Sequence, residues 1–269
     1  MIKTVIIGAG GRMGRFLVTS VIRDAETMLA GAIEIPGSPF LGQDAASVAG
    51  LPACGVAITS DLAAAVKGAG AIIDFSAAES AVANAKVAAA AGCAVVIGTT
   101  GLSDAAKAEL AALAKGGARI VFAPNMSVGV NLLFHLCDKV TRLLGPDYDI
   151  EVVEMHHNQK KDSPSGTAER LGEILARAAG LDYKTETKHG REGLVGARSK
   201  REIGMHAVRG GDVVGDHTVI FATNGERIEL THKASSRETF AKGAVRAVKF
   251  LAAAKPGLYD MQDVLGLKG

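Results

Sequence analysis

The chain opens with a short run rich in β-branched residues, 3–7, that stops at a cluster of glycines. Behind the glycines the apolar positions respace to Met13, Phe16, Leu17 and Val21, the three-and-four periodicity of one helix face. This predicts strand, tight turn and helix. The pattern recurs, with strands predicted over 29–33, 55–59, 71–74, 94–97 and 119–122, and Ala-rich helices over 77–91 and 103–114. Strands alternating with helices of this length predict an α/β domain whose parallel, Rossmann-type sheet is covered on both faces.

From residue 128 the pattern changes. An amphipathic helix over 130–144 leads to a strand over 149–155, a helix over 165–179 and a polar, glycine-punctuated stretch over 182–204. Strands near 205–208, 212–222 and 227–231 follow, which reads as an α+β unit with a mixed, largely antiparallel sheet. A last helix over 236–253 returns to the Ala and Val style of the first half. Two domains are therefore expected, one made of 1–127 with 236–269 and one of 128–235.

Composition removes some classes of function. Hydrophobic residues at 48% and charged residues at 22%, with 33 glycines, are ordinary for a globular α/β chain. A formal net charge of +2 gives no reason to expect nucleic acid or a membrane surface as partner. Cys54, Cys93 and Cys137 are widely spaced and form neither a disulfide framework nor a zinc motif. No apolar run is long enough to cross a bilayer, and the first residues lack signal-peptide features, so a cytoplasmic location is expected.

The turn "VIIGAGGRMGR" places Gly8, Gly10, Gly11 and Gly14 between the first strand and first helix. Such a turn brings backbone amides and a positive helix end to a pyrophosphate. The spacing is G-x-x-G-x-x-G rather than the strict dinucleotide form. Glu34, closing the second predicted strand, sits where a carboxylate accepts hydrogen bonds from ribose hydroxyls. Ile35 follows it, where a 2′-phosphate would want a cation, so NADH is favoured, with NADPH possible through Arg12 or Arg15. "DFSAAES" and "VIGTTGLSD" supply two more turns at strand ends, the latter exposing Gly98, Thr99 and Thr100.

The second chemical segment is "EVVEMHHNQKKDSPSGTAERLG", residues 151–172. Adjacent His156 and His157 point to opposite sides of an extended chain and do not share a metal; no metal is expected. If the extended conformation persists, Glu154, His156, Asn158 and Lys160 share one side. Histidine titrates near neutrality and lysine donates, so this pair suits proton transfer. Ser163 is read as the cap of the following helix, with Pro164 in its first turn, and Ser165, Gly166 and Thr167 as donors to a carboxylate. The basic stretch "KHGREGLVGARSKRE" reads as a solvated, mobile loop.

Together, "GAGGRMGR", "DFS", "GTTG", "APNMSVGVN", "HHNQKKDSPSGTA", "RGGDVVGDHTV" and "THKASSRETFAKGAV" resemble the 4-hydroxy-tetrahydrodipicolinate reductase (dihydrodipicolinate reductase) family from the first strand to the last helix. The resemblance implies reduction of a cyclic dicarboxylate imine by NAD(P)H in diaminopimelate and lysine synthesis. It implies His156 as acid/base, Lys160 as proton donor, and His157, Gly166 and Thr167 as substrate-binding, to which the helix start read above adds Ser165. Gly8, Ala9, Gly10, Gly11, Arg12, Met13, Glu34, Gly98, Thr99, Thr100, Ala123, Pro124, Asn125 and Met126 would line the nicotinamide cofactor. The first domain would bind the dinucleotide, and the second would bind substrate and form a homotetramer. Two other readings are another Rossmann-type amino-acid or imine dehydrogenase, and a non-enzymatic dinucleotide sensor.

Overall fold

The computed structural model describes residues 1–268. It separates into two compact units, Met1–Val128 with the segment from Arg237 onward, and Gly129–Ser236. Along the chain the first unit runs β1 (Ile2–Ile7), α1 (Arg12–Arg23), β2 (Thr27–Ile33), α2 (Ala45–Val48), β3 (Ile58–Thr59), α3 (Leu62–Ala65), β4 (Ala71–Asp74), α4 (Ala78–Ala90), β5 (Ala94–Ile97), α5 (Asp104–Lys115) and β6 (Arg119–Phe122). Helix α6 (Val128–Leu144) leads to β7 (Asp149–His156), α7 (Gly166–Ala179), β8 (Thr187–His189), β9 (Ile203–Arg209), β10 (Gly215–Thr223) and β11 (Glu226–Ala234). Then α8 (Glu238–Ala253), β12 (Gly257–Tyr259) and α9 (Met261–Val264) complete the first unit.

The first sheet is parallel, in the order β12-β6-β5-β4-β1-β2-β3. Successive side chains of β1 go to opposite faces. Val5 and Ile7 join a core with Ala81 and Ala85 of α4 and Leu110 of α5. Ile6 joins a separate core with Leu17 and Val18 of α1 and Ala244 and Val248 of α8. Helices on both faces explain why these strands read as unbroken apolar runs. From β1 the chain builds one half of the sheet through β2 and β3, then crosses to β4 and builds the other. That reversal, between β1 and β4, is where ligands bind in such sheets.

The predicted strand over 55–59 shrinks to Ile58–Thr59. Its first residues are turned away by the Asp44 carboxylate, which accepts the Cys54 and Gly55 amides at 3.1 and 2.7 Å while also capping α2.

The second sheet runs β11-β10-β7-β9-β8. It is mixed: β10 pairs antiparallel with β11 and β7, whereas β9 pairs parallel with β7 and β8. Leu133 and Phe134 of α6 and Leu171 and Leu175 of α7 pack on one face against Val152 and Phe221. Burial alternates along β7, so Val152, Glu154 and His156 point to this helix side. The same face therefore delivers both apolar core and polar chemistry. Among the described residues no helix is long and apolar enough to cross a membrane.

Candidate active site

Two groups of residues carry chemistry, one in each unit. In the first, the glycine turn leaves β1 and enters α1 at Arg12. Gly8 and Ala9 amides both donate to the Ile33 carbonyl, at 2.8 and 3.1 Å, which ties the turn to the end of β2. A Cβ at Gly14 would collide with the Gly8 carbonyl oxygen, so only glycine lets α1 start this close to β1. The N-cap of α1 is Gly11, which has no side-chain cap. Its first-turn amides are left for an anion, as a pyrophosphate requires.

Glu34 Oε1 accepts the Gly10 amide at 2.8 Å, so the acid is already tied to the turn it is expected to serve. Ile35 beside it is 72% exposed. The Arg15 guanidinium donates to the Gly10 carbonyl at 3.0 Å and stacks 5.2 Å from the centre of the Phe40 ring. Arg15 is thereby drawn to the turn, though both it and Arg12 are exposed. Phe40, which packs over Gly10, comes from a loop and gave no periodic signal in the sequence.

The neighbouring turns are organised by Asp74, which is fully buried at the end of β4. Its carboxylate accepts the Ser76 amide at 2.8 Å, the Ser76 hydroxyl at 2.6 Å and the Asn84 side-chain amide at 2.9 Å. The Thr99 hydroxyl donates to the Asp74 carbonyl at 3.2 Å. One acid thus joins two of the turns that sequence singled out separately. Gly98 and Thr99 are buried and Thr100 is exposed. After β6, Ala123 donates to the Ile97 carbonyl, Pro124 is exposed, Asn125 Oδ1 accepts the Ser127 amide, and Met126 is buried.

In the second unit β7 ends at His156, and the chain turns so that the Lys160 amide donates to the His157 carbonyl at 3.1 Å. The expected extended run from Glu154 to Lys160 stops here. The His157 and Asn158 amides are taken by the Val213 and Gly211 carbonyls, which bends the chain. Glu154 and His156 do share a side, and Lys160 comes near by the turn instead. Lys160 Nζ donates to both Asp162 oxygens at 2.8 Å.

The helix cap also differs from expectation. Ser165, not Ser163, is the N-cap of α7: its backbone is extended and its hydroxyl accepts the Ala168 amide at 3.2 Å. Pro164 lies before the helix, following a cis Ser163–Pro164 bond. Ser165 is fully engaged, its amide donating to Glu154 at 3.0 Å and its hydroxyl lying 3.1 Å from His217 Nε2. Gly166, the first helical residue, is exposed with open space at its Cα.

Electrostatics follow from this packing. Burial pushes the His156 pKa down, Glu154 at 2.6 Å pulls it up, and the Lys160 and Arg209 charges add to the lowering, which prevails. Burial pushes the Glu154 carboxyl up, but hydrogen bonds from Arg209, His156 and the Ser165 amide outweigh it and hold it below the ordinary value. Burial and the nearby His156 drive His217 down to about 3. An ionised acid therefore sits beside two neutral imidazoles. Arg209 and His217 were not singled out in the sequence, and Glu154 was placed on the side of His156, two positions before it in one strand, without a role.

Residues 2–126 match the family model described as Dihydrodipicolinate reductase, N-terminus, and residues 129–265 match its C-terminus counterpart. The chain belongs to the dihydrodipicolinate reductase family. Its relatives include the 4-hydroxy-tetrahydrodipicolinate reductases of Trichlorobacter lovleyi, 50% identical over 268 residues and 100% of both chains, and Cupriavidus pinatubonensis, 54% identical over 263 residues and 98% of both. In fold it resembles a dipicolinate-bound dihydrodipicolinate reductase from Paenisporosarcina sp. TG-14, with a TM-score of 0.77 at 23% identity over 98% of each chain. An amine dehydrogenase from Mycobacterium smegmatis aligns with a TM-score of 0.61 at 16% identity, covering 96% of this chain and 94% of its own.

In this chain the basic stretch after β8 is not simply solvated. Arg191 bridges Glu151 and Glu202 at 2.7 and 2.6 Å, and Arg198 reaches Asp149 and Glu151 at 3.0 and 2.9 Å. Burial raises the Glu151 carboxyl, but Arg191, Arg198 and His206 outweigh it and hold it at about 2. The two arginines pin the ends of the loop to β7, while Leu194 at its tip is fully exposed. Sequence marked the charge but not the three acids that wait for it.

Proposed function

We propose that this chain reduces 4-hydroxy-tetrahydrodipicolinate with a reduced nicotinamide dinucleotide, with loss of water, giving tetrahydrodipicolinate for diaminopimelate and lysine synthesis. The observation that carries the reading is the pairing, in one unit, of the Glu154-bound His156 with the start of α7. That arrangement joins a proton-exchanging ring to a helix end suited to a carboxylate.

The residues of the first unit fit the cofactor: an uncapped helix start, a turn that only glycine permits, and an acid at the end of β2. Gly8 to Met13 would hold the pyrophosphate, Glu34 the adenosine ribose, and Gly98 to Thr100 with Ala123 to Met126 the nicotinamide half. When bound, the reduced nicotinamide supplies a hydride for C4 of the conjugated imine ring. This chain's residues supply the rest. Gly166 and Thr167 hold a substrate carboxylate, with His157 and the Ser165 cap beside them. His156 gives a proton to ring carbon, so one hydride and one proton are added across the double bond left by departure of the hydroxyl. Lys160 assists as a cation and proton donor. The His156 ring is held neutral in the free chain, and an arriving dianion raises its pKa, so the proton is taken up together with the substrate.

NADH is the preferred cofactor over NADPH in this reading, since the exposed side chain after Glu34 is Ile35 rather than a cation. A homotetramer is proposed through the face of the second sheet opposite α6 and α7, where Val153, Met155, Val208 and Ile220 lie. All three cysteines are free, in keeping with a reducing, cytoplasmic setting.

The test is oxidation of NADH or NADPH with the condensation product of aspartate semialdehyde and pyruvate. Turnover with that mixture is expected. Consumption only with another imine or oxo acid would assign a different dehydrogenase, and tight cofactor binding without any turnover would assign a sensor. Light scattering tests the tetramer.

A further inference from the structure

Glu154 is 1% exposed, yet it sits at the end of a strand that leads to an exposed turn. Its two oxygens are met by four nitrogens from three groups. Oε1 accepts the Ser165 amide at 3.0 Å and Arg209 Nη2 at 2.8 Å; Oε2 accepts Arg209 Nη1 at 2.8 Å and lies 2.6 Å from His156 Nδ1. A carboxylate held ionised by a bidentate guanidinium has only acceptor capacity left, so the imidazole nitrogen facing it must be the donor. The tautomer of His156 follows: the proton is on Nδ1, and Nε2 is the nitrogen left for exchange. Arg209 Nη2 also donates to the Asp162 carbonyl at 2.8 Å, which ties the turn carrying Lys160 and Asp162 to the same acid.

We propose that Glu154, held by Arg209, is the positioning residue of this site: it fixes the His156 tautomer and at the same time anchors the start of α7, setting proton donor and carboxylate holder with one group. The inference rests on the reading of His156 and α7 given above. A purely structural ion pair would need Arg209 and Glu154 alone. Here the acid's remaining positions go to the ring at 2.6 Å and to the amide of the N-cap residue, and both belong to the proposed reaction. His217 closes the arrangement. Its ring packs edge-on against His156, with centroids 5.2 Å apart, and its Nε2 lies 3.1 Å from the Ser165 hydroxyl.

The experiment is long-range ¹⁵N NMR of histidine-labelled protein, with steady-state kinetics of the wild type, Glu154→Gln and Arg209→Lys. In the wild type His156 is expected as the Nδ1-protonated neutral tautomer. Glu154→Gln, which keeps the shape but can present a donor, is expected to mix the tautomers and to lower kcat on the order of 10²-fold, the range of a lost general acid. Its cofactor affinity, set in the other unit, is expected to stay unchanged. Arg209→Lys, lacking the fork, is expected to fall between the two. A wild-type His156 protonated on Nε2 overturns the inference by itself, whether or not the variants fold; so does a Glu154→Gln protein with the wild-type tautomer and rate. If the wild type does not turn over the substrate, the functional reading fails while the tautomer result still decides the geometry.

Discussion

His217 provides a direct measure of how much the buried polar layer of the second unit depends on pH. Its ring is 3% exposed, and burial with the nearby His156 holds its pKa at about 3, against 6.5 for the ordinary side chain. Below pH 6.5 the unfolded chain binds a proton at this ring while the folded chain does not until about 3. Stability present at neutral pH is therefore lost as pH falls. Each pH unit below the unfolded value costs about 1.4 kcal/mol, so the loss from this ring at pH 5 is roughly 2 kcal/mol. His217→Gln replaces the ring with an amide that does not titrate. Urea unfolding followed by circular dichroism, at about pH 7 and about pH 5, gives the change in stability for each protein. Contributions from the carboxylates and other histidines occur in both and cancel in the difference. The wild type is expected to lose roughly 2 kcal/mol more than the variant on acidification. Equal losses would refute the reasoning, because they would mean that the folded ring takes up its proton as freely as the unfolded one.

Gly14→Ala forces a methyl group into the Gly8 carbonyl, and is expected to weaken NADH binding at least tenfold in a fluorescence titration; wild-type affinity would remove the close approach from the binding account. Gly215→Ala places a Cβ 2.9 Å from His156 Nε2, and is expected to lower kcat about tenfold or more with NADH affinity unchanged; an unaltered kcat would show that the ring has room to move. Ile35→Arg supplies the missing cation beside Glu34, and is expected to raise NADPH affinity several-fold over wild type, read as the ratio of the two cofactors' Kd values.

Sequence carried the layered plan because hydrophobic period changes where strand becomes helix: β4, β5 and β6 fall on the predicted residues. Features set by long-range hydrogen bonds were not legible. Asp44 shortens β3 by taking the Cys54 and Gly55 amides, ten and eleven residues after it, and no local pattern announces that. Lys160 follows a turn held by the Val213 and Gly211 carbonyls, so its place is set by that turn and not by the strand alternation expected from sequence. Ser163 and Ser165 are both plausible caps next to Pro164, and what selects Ser165 is the acid waiting for its amide. Strand β12 has three residues and takes its identity from pairing with β6, which lies far away in sequence.

The return of the C-terminal segment to the first unit has a consequence for how the chain matures. Helix α8 brings Ala241, Ala244, Val245, Val248 and Leu251 to the core that α1 shares, and β12 covers the edge of β6. A chain emerging from the ribosome thus carries an unfinished first unit, with Leu17, Val18 and Val21 lacking the α8 part of their core and a sheet edge open to other strands. The second unit is continuous in sequence and has all its own partners at hand. It is free to fold during synthesis, whereas the first unit must wait for α8 and β12 to be made before its core and sheet edge are covered.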